Sequence, residues 1–138
     1  MSDRVAAVRV TRLTYADCDP AGIVYYAAWF VAMERVLTEW FLGVGFRFDR
    51  MADELGGAVV TRSTWCEYLA PAAVYDEIAV ELTVVKVGTT SYTLGFEMVR
   101  LGDAVVVARS GLVGVFVAGG RAAPLPLALR DALLGGMA

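Results

Sequence analysis

The sequence predicts an α+β domain in which a curved antiparallel sheet wraps around one long helix. Three observations carry that expectation: one stretch with helical periodicity early in the chain, four valine- and threonine-rich stretches after it, and turn residues between them. At 138 residues the chain is long enough for one core and too short for two comfortable ones. A single domain over residues 1–138 is expected. Apolar residues make up 58% and charged residues 20%, an oily balance for a soluble monomer. Part of the surface should therefore be buried between copies of the chain, and an oligomer is the default expectation.

The elements follow in order. "RVAAVRVTRLTY", Arg4 to Tyr15, partly alternates apolar with polar residues and reads as a first strand, ended by the cluster "DCDPAG". In "AAWFVAMERVLTEWF", Ala27 to Phe41, apolar groups recur at Phe30, Met33, Leu37 and Trp40, while Glu34, Arg35, Thr38 and Glu39 share the other face. This is the long helix. Gly43 and Gly45 stop it, and "RFDRMADELGG" suits a short second helix closed by Gly56 and Gly57. Strands are expected over Ala58–Leu69, Tyr75–Val87, Thr90–Leu101 and Ala104–Val117, separated by Pro71, Gly88 and the pair Gly102 and Asp103. Short links between four consecutive strands imply an antiparallel meander. The tail "PLPLALRDALLGGMA" can add a short terminal helix. A mostly apolar helix enclosed by a curved sheet is the hotdog architecture.

Composition excludes several kinds of chemistry. There is no histidine, which removes Ser-His and Cys-His nucleophile pairs, histidine metal sites and Asp-His dehydratase pairs together. Cys18 and Cys66 are too few for a disulfide framework and lack the spacing of a zinc site, so both are expected to be reduced thiols and neither metal nor cofactor is implied. A formal charge of −3 and the lack of a clustered basic face argue against nucleic acid as a partner. The apolar run Pro20 to Met33 is too short to span a bilayer, and "MSDRVAAVRV" lacks the unbroken apolar core of a signal peptide. A cytoplasmic protein without a membrane segment is the expectation.

The stretch "DCDPAGIVYY", Asp17 to Tyr26, followed by an aromatic-rich helix, resembles the 4-hydroxybenzoyl-CoA thioesterase family of hotdog enzymes. Their signature is an aspartate in a D-x-D-x-x-G-x-V/I-x-Y/N context just before the central helix. The likeness continues more weakly through the strand pattern, including "YLAPAAVYDEIAVEL", Tyr68 to Leu82, and so covers most of the chain. The resemblance implies that Asp19 carries the reaction, that Asp17 fixes the loop, and that the main-chain N–H of Tyr26 polarises the thioester carbonyl. The chemistry agrees, because a thioester is already activated and needs an oxygen nucleophile at its carbon and a donor for the developing oxyanion. Asp19 could attack directly or deprotonate water. Gly22 is expected to let the backbone approach the ligand. Cys18 lacks a histidine to activate it, and "DPAG" alone is also a common turn with a helix cap.

The rest of the ligand contact is less sharply drawn. Glu34 lies two turns after Tyr26, so both can face one end of the same cavity. The resemblance implies that an acidic residue at this place accepts a hydrogen bond from a ring hydroxyl or amine of an aromatic acyl group; the bland alternative is a solvated carboxylate or one paired with Arg35 or Arg62. For the CoA end, "KVGTTSY" offers Lys86 and Ser91, with Arg62, Arg100 and Arg109 as further cations. The resemblance implies an acyl-CoA substrate, an aromatic acyl group, and a dimer that pairs again into a tetramer with its sites between subunits. Hydrolysis of acyl groups from a carrier protein and non-catalytic binding of an acyl thioester are the competing functions; a pure binder would not need Asp19.

Overall fold

The computed structural model describes residues 4–137. Its elements are β1 (Ala7–Arg12), a one-turn 3-10 helix (Tyr15–Asp17), α1 (Ala28–Gly43), α2 (Met51–Leu55), β2 (Ala58–Tyr68), β3 (Glu77–Val87), β4 (Ser91–Arg100), β5 (Val105–Ala118), β6 (Arg121–Ala122) and α3 (Leu127–Met137). All lie within a few residues of the stretches read from the sequence, apart from the 3-10 turn, which stands where the first strand was expected to end, and β6. That two-residue strand folds back on β5 through Gly119 and Gly120, both with positive φ, the conformation a tight hairpin requires. Residues 1–3 and Ala138, at the two ends of the expected domain, lie outside the described residues.

The sheet is antiparallel with the order β1-β3-β4-β5-β2, and β6 pairs with β5. The four-strand meander expected from sequence is thus corrected to three strands, β3-β4-β5. β2 does not pair with β3; it lies at the far edge, where Trp65 pairs with Gly111 and Tyr68 with Ala108 of β5. The segment 69–76 is no hairpin turn because its backbone is engaged elsewhere: Ala73 bridges to Ile23, Ala72 accepts from the Val24 N–H, and Tyr75 donates to Leu13. It therefore crosses the end of the sheet, beneath the loop that precedes α1.

Period-two alternation sets the inner face. Ile78, Val80, Leu82 and Val84 of β3 and Tyr92, Leu94, Phe96 and Met98 of β4 are buried. Across from them α1 buries Trp29, Met33, Val36, Leu37, Trp40 and Phe41 and keeps Glu34, Arg35, Thr38 and Glu39 exposed. Burying one such large side chain stabilises the fold by roughly 1.5–3 kcal/mol. The terminal helix contributes more than a short tail element would, since Leu129 and Leu133 are fully buried and α3 packs on β3. Tyr92 lies within this core, and burial drives its phenol well above the ordinary tyrosine range.

The two sheet edges differ. Inner residues of β1 face the helix, where Arg9 pairs with Glu39 at 3.0 Å. In contrast, all eleven residues of β2 are exposed or half-exposed, including Trp65 at 46% and Val60 at 48%.

Candidate active site

The segment between β1 and α1 is shaped by main-chain bonds. Asp19 and Gly22 form a tight turn, with the Gly22 N–H donating to the Asp19 carbonyl at 2.9 Å and the Asp19 N–H donating to Ile23 at 2.9 Å. Gly22 has φ +80, where a side chain is strained, and a Cβ there would meet nothing within 4 Å. The glycine thus serves the turn's left-handed backbone. The open space beside it is compatible with the backbone approach to a ligand expected from the sequence. The outgoing strand is pinned by Val24 N–H to Ala72 and Tyr25 N–H to Asp17, both at 2.8 Å.

The two aspartates of the motif have different surroundings. Asp17 Oδ2 accepts both the N–H and the hydroxyl of Thr14, at 2.8 and 3.1 Å, and so closes the 3-10 turn. Asp19 is half-buried; its Oδ1 accepts the Ala21 N–H at 2.9 Å, and Oδ2 has no hydrogen-bond donor among the described residues. One oxygen therefore orients the carboxylate and the other is presented.

Asp19 and Tyr26 line one cavity of about 450 Å³, with Ile23, Trp29, Tyr68 and Pro71 among its walls. Trp29 is almost fully buried and forms a firm floor, whereas the Tyr26 ring is 63% exposed and packs against Tyr25. The helix begins at Ala28 with Ala27 as its N-cap, so Tyr26 stands one residue before it. The Ala28 N–H donates to the Tyr25 carbonyl at 2.9 Å, and among the described residues the Tyr26 N–H donates to no backbone carbonyl of the loop. A free amide at a helix start is suited to an oxyanion. The far wall is held by Arg100, which donates to the Pro71 carbonyl at 2.7 Å and grips Asp103 through two nitrogens.

Cys18 lies among carboxylates. Burial, then the charges of Asp17, Asp19 and Asp76, push its thiol above the ordinary cysteine range, opposite to what a nucleophilic thiolate requires. Burial likewise raises the Cys66 thiol. Among the described residues no group of acidic or sulfur ligands could hold a metal ion.

The remaining site candidates are not brought to this cavity within one protomer. Glu34 is exposed on α1, accepts the Thr38 hydroxyl, and forms no ion pair with Arg35 or Arg62 among the described residues. Lys86 and Ser91 flank the β3–β4 hairpin at the opposite end of the sheet from Arg100, roughly 30 Å away along β4. Arg109 is paired with Glu97 at 2.8 Å. Among the cavity residues outside the sequence-derived site set, Tyr68 is polar and engaged there: its hydroxyl donates to the Tyr26 carbonyl at 3.1 Å. Its sequence signals are an aromatic at the end of a strand and its place at the head of the stretch "YLAPAAVYDEIAVEL".

Among the described residues no helix is long and apolar enough to cross a membrane. The chain matches the sequence profile of the thioesterase-like superfamily over residues 13–133. Among solved structures it is similar to a 1,4-dihydroxy-2-naphthoyl-CoA thioesterase from Synechocystis, with TM-score 0.86 and 21% identity over 93% of this chain and 95% of that one. It is also similar to a gentisyl-coenzyme A thioesterase, with TM-score 0.78 and 21% identity over 92% and 98% of the two chains. A third is 4-hydroxybenzoyl CoA thioesterase, solved as an Asp-to-Asn mutant complexed with 4-hydroxybenzoyl CoA, with TM-score 0.83 and 21% identity over 91% and 96%. The likenesses agree with the curved sheet and central helix, and with the profile match they show that this chain belongs to the thioesterase-like superfamily, as a hotdog-fold protein of the thioester hydrolase class.

Proposed function

We propose that the protein hydrolyses an aromatic acyl-CoA to the free acid and CoA, with Asp19 supplying the attacking oxygen and the Tyr26 N–H polarising the thioester carbonyl. The observation that carries this reading is the shared cavity, lined both by Asp19, an oriented carboxylate with one undonated oxygen among the described residues, and by Tyr26, whose amide donates to no loop carbonyl among them. Asp19 either attacks the acyl carbon to give a mixed anhydride that water then opens, or takes a proton from water as it attacks. In both courses the C–S bond breaks and the thiolate leaves and is protonated. The apolar and aromatic wall of Ile23, Trp29 and Pro71 suits a ring, and the three similar structures named above are all of aromatic acyl-CoA thioesterases.

The site is completed by a second copy. β2 is an eleven-residue edge with both faces open, and such edges persist in solution when they are paired or covered. Pairing of β2 with its twin sets two α1 helices side by side, and a further pairing of dimers gives a tetramer. Glu34 would then reach the acyl ring of the neighbouring cavity, and Lys86 and Ser91 the CoA of a neighbouring protomer. The setting proposed for this reaction is the cytoplasm.

Loss of thioester absorbance across benzoyl, hydroxybenzoyl, phenylacetyl and fatty acyl-CoAs tests the reading. Turnover of an aromatic substrate that vanishes in Asp19→Asn supports it; equal activity in that variant overturns it. Cleavage of acyl-carrier-protein thioesters alone would replace CoA by the carrier, and tight binding of thioesters without turnover would make the protein a binding module.

A further inference from the structure

We propose that Tyr68 is a positioning residue for the carbonyl-polarising amide, a role that rests on the thioester-hydrolysis reading and deepens it. The Tyr68 hydroxyl donates to the main-chain carbonyl of Tyr26 at 3.1 Å, across 42 residues of sequence, and Tyr68, Tyr26 and Asp19 line the same cavity. Among the described residues it is the one side chain that hydrogen-bonds to the backbone of Tyr25, Tyr26 or Ala27.

The geometry explains why such a tether matters. A peptide unit is planar, so holding its carbonyl also sets the direction of its N–H. The Tyr25 carbonyl is held by the Ala28 N–H of the helix start, and the Tyr26 carbonyl by Tyr68. Two consecutive peptide planes are thus fixed, with the Tyr26 α-carbon as their joint. Tyr26 lies before the helix N-cap, beyond the reach of the helical ladder, and its exposed ring provides little packing restraint. Without the Tyr68 bond the second plane could turn about Tyr26 and carry the first away from the thioester oxygen. A hydrogen bond to a carbonyl also strengthens the donor on the same peptide, here the Ala27 N–H.

Tyr68 is suited to this task by its place. It is the last residue of β2, on the strand face shared with Ala108 of the core, so its Cα is fixed by the sheet while its tip reaches the loop. At 51% exposure it contributes little to core packing. Burial and the nearby Cys66 hold its phenol above the ordinary tyrosine range, so it keeps its proton and remains a donor at neutral pH.

The experiment compares native protein with Tyr68→Phe on an aromatic acyl-CoA, together with the infrared carbonyl band of that thioester bound to Asp19→Asn. Misplacement of a reacting group costs up to about a hundredfold in rate, so kcat should fall about ten- to a hundredfold, with KM and melting temperature unchanged. In Asp19→Asn the bound carbonyl band should move to lower frequency, and adding Tyr68→Phe should reverse part of that shift. An unchanged kcat, or a band that Tyr68→Phe leaves in place, overturns the role of Tyr68 alone. A raised KM with unchanged kcat makes Tyr68 a ligand contact and overturns it too. If the thioester bound to Asp19→Asn shows no lowered band, the Tyr26 amide itself is misassigned, and the positioning role falls with it.

Discussion

The loop from Cys18 to Tyr26 and the α1–sheet core touch at Trp29 but are built by different forces. The loop is held by main-chain hydrogen bonds, is half-open to solvent, and presents a carboxylate and an amide that nothing among the described residues fully occupies. The core is held by apolar burial, with Phe41, Leu82, Leu94 and Met98 wholly enclosed. The contrast teaches that activity and stability should respond to different substitutions in this molecule, even at sites a few residues apart.

The strongest way to sharpen that contrast is Asp19→Asn. General-base or nucleophilic function is worth about 10²- to 10⁴-fold in rate, so turnover should fall by that amount while the melting temperature stays at the native value. A drop in melting temperature of many degrees would instead make Asp19 a structural member of the loop. Phe41→Ala is the opposite probe: loss of a buried aromatic should cost about 3–5 kcal/mol in denaturant unfolding. The fraction that remains folded should keep its kcat.

Gly22→Ala tests the border between the two regions. An alanine at φ +80 carries roughly 1–2 kcal/mol of backbone strain, and since the space around its Cβ is empty, the cost should appear as loop distortion and lost kcat more than as steric conflict. Native stability and native kcat together would break the link between turn and chemistry. The Arg100–Asp103 pair gives the smallest effect. Hydrogen bonding to Arg100 holds the Asp103 carboxyl below the usual carboxylate range. A group so depressed contributes stability above its unfolded value, and loses it as pH falls through the folded value. Asp103→Asn should therefore lower the melting temperature slightly at neutral pH, with the difference vanishing in strong acid; a difference that grows in acid would reverse the sign argued here.

Much of this was legible in the sequence because it is local. The apolar spacing of α1, the valine-rich strands and the turn residues between them each report on a few neighbours. The place of β2 was not, because pairing with β5 rather than β3 depends on where residues 69–76 spend their hydrogen bonds, and no periodicity encodes that. The same limit applies to the site. The motif places Asp19 and Tyr26 only seven positions apart, and both line the cavity. Tyr68 reaches that cavity across 42 residues, and its hydroxyl has a visible purpose only once the Tyr26 carbonyl is in place. The resemblance points to Glu34 and side-chain chemistry to Lys86 and Ser91, but the fold of one chain sets them on an exposed helix face and at the far end of the sheet.

Among the described residues, the wall that this chain gives the cavity holds a single charged side chain, Asp19. A thioester carbonyl arrives there without charge, whereas the acid produced leaves as an anion beside that carboxylate, with no cation in the wall to detain it. Under the proposed reaction the pocket thus turns from host to repellent at the moment of bond cleavage. The protein would shed its product without a gate, and accumulating acid should inhibit it far less than an uncharged ketone of the same shape.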